Sequence, residues 1–190
     1  KYTGIDEATG NPTFADLNDD NAITEADKTM IGKGIADMTY GITLTAAWKG
    51  LDLIVFGTGS YGAHIYSCLN RPDYTLNKLT YFVEDRWTPS HTKASMPRAG
   101  ATDMDKYYTS SASVFDGSYF KIKQIQLGYT FPQKWMKTIK VSNLRVYASL
   151  DDFFTFSDYP GFDPEVTNMG VDKGTFPTSK KVVAGVSITF

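Results

Sequence analysis

The sequence predicts an all-β fold: an arc of about five antiparallel strands belonging to a larger transmembrane β-barrel, with long loops. Three observations predict it. Five stretches alternate apolar with small or polar side chains, the period of a strand with two unlike faces. Short connections alternate with long polar ones along the chain. No run of about eighteen apolar residues occurs, so no transmembrane helix is encoded, and barrel strands never produce such a run.

Val182–Phe190 shows the alternation most clearly. Phe190, Ile188, Val186, Ala184 and Val182 share one parity, and Thr189, Ser187, Gly185 and Val183 the other. The pattern fits a tilted membrane strand and equally a strand of a water-soluble sandwich, so the rest of the chain decides. In Thr39–Trp48, Tyr40, Ile42, Leu44, Ala46 and Trp48 share a face, and Lys49-Gly50 supplies a two-residue hairpin turn. Leu51–Gly57 returns, with Leu51, Leu53 and Val55 on one face and a second face that is not wholly polar. Tyr119–Phe131 has a broken rhythm. Phe120 and Ile122 fall on one parity, Ile125, Leu127, Tyr129 and Phe131 on the other. A one-residue slip reverses every later side chain, so a β-bulge is predicted near Lys123-Gln124, and Lys121 and Lys123 need that bulge, or a position above the membrane, to be tolerated. Pro132 ends that strand, Gln133–Lys140 forms a short connection, and Ser142–Leu150 is the next strand.

Segments 1–38, 58–118 and 151–180 are the long connections, and residues 39–190 hold the strands. Leu76, Leu79, Phe82 and Val83 follow helical spacing and predict a short helix within Tyr74–Arg86. Five strands cannot close a membrane barrel, for which about eight are needed. Open edges are not tolerated in lipid, so the arc requires further strands. The chain starts at Lys1, without a Met or a signal peptide, which suggests a piece of a larger or processed protein.

The net charge of −2 argues against nucleic acid and against a polybasic membrane contact. A single cysteine, Cys68, forms no intrachain disulfide. Aromatic residues gather near strand ends: Tyr40, Trp48, Tyr119, Tyr129, Phe131, Trp135, Phe153 and Phe190. Such rings suit a membrane–water interface, or the core of a soluble β domain.

Asp16-Leu-Asn-Asp-Asp-Asn-Ala-Ile-Thr-Glu-Ala-Asp27 has the spacing of a calcium loop. Asp16, Asn18 and Asp20 stand at positions one, three and five. Ala22 offers its carbonyl at seven, Thr24 stands at nine and Asp27 at twelve. Calcium takes six to eight hard oxygen ligands, and this spacing wraps them around one ion. Asn21 replaces the usual glycine at six, and Asp27 is shorter than the usual Glu. A structural Ca2+ is the expectation, against a solvated acidic turn held by Asx capping.

Catalysis has no support. His64 and His91 lack ligand-spaced partners, Cys68 lacks the surroundings of a catalytic thiol, and Glu84-Asp85 and Asp151-Asp152 are ordinary adjacent acids.

Together these stretches resemble the C-terminal part of SusC/RagA-type TonB-dependent outer-membrane transporters. The resemblance runs through Asp16–Thr24 with Ile31-Gly32, Tyr40–Leu44 with Trp48–Leu53, Arg86-Trp-Thr-Pro89, and Pro97-Arg98. It continues through Asp116–Lys123, Leu127–Pro132, Leu144–Ser149, Phe154–Tyr159, Gly161–Glu165 and the terminal Phe190. The sequence departs at Leu150-Asp151-Asp152, where that family has an amide-rich pair. The resemblance implies a 22-stranded plugged barrel of which this chain holds the last five strands. It implies import of glycans or peptides, driven through TonB by way of an absent N-terminal part, with a SusD-like surface lipoprotein as partner. It places the C-terminus and short turns in the periplasm and the three long loops outside the cell, and it makes Phe190 part of a barrel-insertion signal. The competing reading is a soluble, calcium-stabilised β-sandwich that binds carbohydrate. In either case Trp87, Tyr107 and Tyr108 are placed to stack on sugars. Charge on the outward parity separates the two readings.

Overall fold

A computed structural model describes residues 1–73, 78–137, 140–167 and 169–190. The strands are β1 (Tyr2–Ile5), β2 (Pro12–Phe14), β3 (Met38–Trp48), β4 (Leu51–Tyr61), β5 (His64–Ser67), β6 (Val114–Asp116), β7 (Tyr119–Thr130), β8 (Asn143–Phe156), β9 (Val171–Asp172) and β10 (Lys181–Thr189). Three short helices accompany them: α1 (Tyr81–Glu84), α2 (Met104–Tyr108) and α3 (Gln133–Met136). The helix expected within Tyr74–Arg86 is present as α1, while residues 74–77 of that stretch lie outside the described residues.

The chain divides into two compact units. One comprises residues 37–61, 118–158 and 177–190 and is a single five-stranded sheet in the order β10-β8-β7-β4-β3. Every pairing is antiparallel and joins consecutive strands of the sheet. This is the up-and-down arrangement of a barrel wall. Lys49 and Gly50 both take positive φ, the geometry of a type I′ turn, whose twist matches the strands it joins.

The expected bulge is present. Phe56 pairs with Gln124 and Gly57 with Ile122, so Lys123 is the extra residue of β7. On the other side Ile122 pairs with Phe154 and Gln124 with Asp151, leaving Asp152 and Phe153 opposite Lys123. Asp152 takes φ 59° there, and its carboxylate meets the Lys123 ammonium at 2.7 Å. The bulge therefore carries its own ion pair, and Lys121 pairs with Thr58 and Thr155 on the polar face.

Two strands run further than the sequence predicts. β4 continues from Gly57 to Tyr61, and β8 continues from Leu150 to Phe156. Gly57-Thr-Gly-Ser60 and Asp151-Asp152 look like turn residues, but neighbouring strands pair with both segments. The Phe120 ring lies over Gly57 and the Tyr40 ring over Gly59. A side chain at either glycine would collide with those rings.

The sandwich reading requires a second layer over the apolar face. That face is uncovered: Leu44 is 63%, Trp48 67%, Val186 63% and Ile188 51% exposed.

The other unit comprises residues 1–36, 62–117 and 159–176. It holds the β1-β2 hairpin and a small sheet in the order β6-β5-β9, in which β5 pairs antiparallel with β6 and parallel with β9. Ile65, Cys68, Leu69, Phe82, Tyr107 and Tyr159 are its buried core. The buried Asp172 side chain accepts the Tyr159 hydroxyl at 2.6 Å and the Gly174 amide at 2.8 Å, so each of its oxygens has a donor. Burial leads the causes that raise the Tyr159 phenol well above its ordinary value, followed by the hydrogen bond to Asp172. The phenol thus stays protonated and keeps donating.

Candidate functional site

Register across the five strands assembles one apolar face. Tyr40 pairs with Gly59, Gly59 with Phe120 and Phe120 with Phe156. The next row is Ile42, Gly57, Ile122 and Phe154, followed by Leu44, Val55, Ile125, Leu150 and Val182. Below these come Ala46, Leu53, Leu127, Ala148 and Ala184, then Trp48, Leu51, Tyr129, Val146 and Val186. Leu144 with Ile188 closes the face at the short-turn end. No row contains a charged residue. The bulge makes this possible, because it returns Phe120 and Ile122 to the face occupied by Ile125 and Leu127.

Aromatic rings bound the face at both ends. At one end Tyr40 stacks on Phe120 with centroids 6.1 Å apart, and Phe120 on Phe156 at 6.4 Å. At the other end Trp48 and Tyr129 are joined by Phe131, 5.0 Å from Tyr129, and by Trp135, 6.2 Å from Phe131. Tyr40 and Trp48 are separated along β3 by roughly 26 Å at ~3.3 Å per residue, which at a barrel tilt of about 40° spans ~20 Å of the ~25 Å apolar band of a membrane barrel. Two rings expected in these girdles are elsewhere. Tyr119 pairs with Ser60 and lies on the polar face, and Phe153 sits unpaired at the bulge. Phe120, Phe154 and Phe156 supply the outward rings instead.

The opposite face is mostly polar, with Ile54 and Phe56 of β4 among its residues. Asp52 of β4 and Arg145 of β8 form a bidentate ion pair that spans the intervening strand β7. It crosses at Gly128, where a Cβ would stand 2.6 Å from the Asp52 carboxylate oxygens. The glycine is what lets two side chains from non-adjacent strands meet. Arg145 also lies 5.2 Å from the centre of the Tyr147 ring.

In the second unit the acidic loop is closed by its own backbone. Asp16 accepts the amides of Asn18 (3.3 Å) and Asn21 (2.8 Å). Asp20 accepts the Ala22 amide at 2.8 Å and the Asn18 side-chain amide at 2.8 Å. Asn21, at the position where calcium loops carry glycine, takes φ 61°. Asp27 accepts Leu17 and Thr24 amides, both at 2.7 Å, and completes a capping box with Thr24. These bonds, the Thr24 amide first, hold the Asp27 carboxyl below its ordinary value. The loop carries oxygen donors of the kind calcium takes, and the left-handed Asn21 provides a turn where calcium loops carry glycine. Among the described residues no three His, Cys, Asp or Glu side chains converge to hold a metal.

The aromatics expected to stack on sugars are mostly committed to structure. Tyr107 is buried at 4% exposure, with burial holding its phenol well above the ordinary value. Tyr108 is half-buried, and its carbonyl accepts the Tyr66 hydroxyl. The Trp87 indole donates to the Glu7 carbonyl at 3.1 Å, and its ring covers Gly10. Arg98 donates to the Gly10 carbonyl and to Asn11. The Arg86-Trp-Thr-Pro and Pro97-Arg98 motifs therefore fasten 86–98 onto the β1-β2 hairpin, a role that spacing alone did not reveal.

His91 and Asp85 are 2.7 Å apart, and Asp85 also accepts the Ser95 amide at 2.9 Å. Hydrogen bonds from Ser95 and His91 lower the Asp85 carboxyl to about 2. A depressed carboxyl stabilises the fold above its unfolded value of ~3.9 and loses that contribution as pH falls through the folded value. Acid should therefore open 85–96 only below about pH 4, and Asp85→Asn should remove that acid dependence. Hydrogen exchange of 85–96 between pH 5 and pH 2 checks this.

No family model matches the chain. It is 31% identical over 198 residues to TonB-dependent receptor P3 of Formosa agariphila, covering 97% of this chain and 19% of that protein. It is 27% identical over 196 residues to TonB-dependent receptor SusC of Bacteroides thetaiotaomicron, covering all of this chain and 19% of that one. The fold matches the RagAB peptide importer in its closed-closed state at a TM-score of 0.80, with 25% identity, all of this chain and 22% of that one. Over its whole length the chain matches a barrel segment of SusC/RagA-type TonB-dependent receptors. It spans about a fifth of the length of these receptors. A second structure, of the RagAB peptide transporter, matches at 0.82 with 22% identity. TonB-dependent receptors are β-barrels of the outer membrane, and the uncharged face is the surface that such a barrel turns to lipid. The relatives are receptors and importers, not enzymes.

Proposed function

We propose that this receptor segment serves in an outer-membrane importer of peptides or glycans, energised through TonB and working with a SusD-like lipoprotein. The uncharged face running through all five strands carries the reading, because a soluble binding module has no use for it. The TonB-dependent receptors and the RagAB peptide importer to which the chain is similar support import. In this reading the Lys49-Gly50 turn and residues 131–142 face the periplasm. Segments 1–36, 62–117 and 159–176 face outside. The experiment is to delete the parent gene and, separately, tonB, and to compare growth on peptide or polysaccharide as sole source. Loss of growth on one of them in both strains is expected. Unchanged growth and uptake in the parent deletion would overturn the assignment.

The acidic loop is assigned a structural Ca2+ held by Asp16, Asn18, Asp20, the Ala22 carbonyl, Thr24 and Asp27. In the whole receptor, a chelator should raise protease cleavage within 10–35. Asp16→Ala with Asp20→Ala should raise it to the same level and abolish any further effect of chelator. Cleavage unaffected by chelator would refute the site.

A further inference from the structure

The chain's small net negative charge conceals a strongly basic end. Residues 131–150 contain Lys134, Lys137, Lys140 and Arg145 and no Asp or Glu. Arg145 is engaged by Asp52 on the polar face, leaving the three lysines of the β7–β8 connection as its outlying cations. Lys49, in the β3–β4 turn at the same end of the sheet, lies over the Trp48 ring at 4.7 Å. The β3–β4 turn reaches the end of β7, since the Thr130 amide donates to the Gly50 carbonyl at 2.8 Å.

The position of these cations relative to the apolar face is the informative part. The ring series Tyr129, Phe131, Trp135 leads off the end of the uncharged face and into α3. Trp135 is 58% exposed, and Lys134 and Lys137 flank it along the chain on either side of the buried Met136. Met136 anchors the connection, and its carbonyl accepts the Val141 amide at 3.2 Å. Beside it lies a shallow depression of about 390 Å³ lined by Gln133, Lys137, Lys140, Val141 and Ser142. Aromatic residues mark the interfacial depth of a membrane protein, and cations just beyond them stand level with lipid phosphates.

We propose that the β7–β8 connection is a docking surface for the phosphate headgroup of anionic phospholipids. Lys134, Lys137 and Lys140 supply the charge and Trp135 the interfacial anchor. The proposal rests on the membrane-barrel reading and adds a lipid preference to it. The net charge argues against a polybasic membrane contact for the chain as a whole, but it averages over this end, where Lys134, Lys137 and Lys140 are concentrated. Lipid is favoured over a soluble anion because the lysines continue directly from the lipid-facing surface.

The test uses the full-length receptor in nanodiscs of phosphatidylcholine, with trace spin-labelled phosphatidylglycerol or phosphatidylcholine. Each cation near an anionic surface is worth roughly fivefold in association. The wild type should therefore immobilise phosphatidylglycerol several-fold over phosphatidylcholine, and added salt should reduce the preference. K134Q/K137Q/K140Q should abolish it, and K134R/K137R/K140R should retain it. Equal immobilisation of both lipids by the wild type, or an unchanged preference in the glutamine variant, would overturn the proposal. Displacement of phosphatidylglycerol by inorganic phosphate at constant ionic strength would show a free-anion site and overturn the lipid assignment. Failure of the barrel reading itself would appear earlier, as a receptor that does not insert or shows no heat-modifiable band.

Discussion

Ile125→Arg should cost about 2–4 kcal/mol of receptor stability in vesicles, the penalty for a charge on the lipid face near the bilayer midplane. Ile125 stands in the row Leu44, Val55, Ile125, Leu150, Val182, midway between the Tyr40 and Trp48 rows. Its immediate neighbour Gln126 pairs with Ile54 and Ser149 on the opposite face. Gln126→Arg should therefore change stability by no more than about 0.5 kcal/mol. Tyr129→Arg, at the ring-lined end, should fall between them. Urea unfolding of the full receptor from vesicles reads all three. Equal costs at 125 and 126 would mean that the two faces do not meet different solvents.

Gly170→Ala should destabilise the second unit by more than about 3 kcal/mol, as two costs add. Gly170 has φ +78°, a conformation that costs an L-residue ~1–2 kcal/mol. A Cβ there would lie 2.5 Å from the Gly34 Cα and 2.7 Å from the His64 carbonyl, both backbone atoms that cannot rotate away. The Gly170 carbonyl meanwhile accepts the Tyr66 amide at 2.7 Å, which ties this crossing to β5. Gly100 is the matched control, with φ +69° and nothing within 4 Å of the added Cβ. Gly100→Ala should pay only the backbone cost. Hydrogen exchange across 64–67 and 169–174 should rise sharply for the first variant and little for the second. Similar behaviour would refute the close packing of Gly34 on Gly170.

The sheet was legible in the sequence because its two faces meet different surroundings, which imposes a period of two on every strand. The slip between Ile122 and Ile125 was legible for the same reason, since only an extra residue restores the face. What stayed hidden is non-local. Gly57 and Gly59 belong to a strand because the Phe120 and Tyr40 rings cover them, and those rings come from other strands. Asp152 is tolerated in β8 because Lys123 of β7 bulges towards it. Strands β5, β6 and β9 are too short to show a period. In the acidic loop the shape was readable, since Asp and Asn bond their own backbone two residues on. The burial of Tyr107 and the fastening role of Trp87 were not, because both depend on the distant β1-β2 hairpin: Tyr107 meets the Tyr2 ring with centroids 5.4 Å apart.

A nitroxide scan of positions 124–129 in the lipid-reconstituted receptor, with Cys68 replaced by serine, asks which side of β7 meets lipid. Collision with oxygen, which partitions into lipid, is compared at each position with collision with a water-soluble nickel chelate. High oxygen access is expected at 125, 127 and 129 and none of that excess at 124, 126 and 128. Accessibility without this two-residue period, or with nickel favoured at 125 and 127, would contradict a lipid-facing sheet.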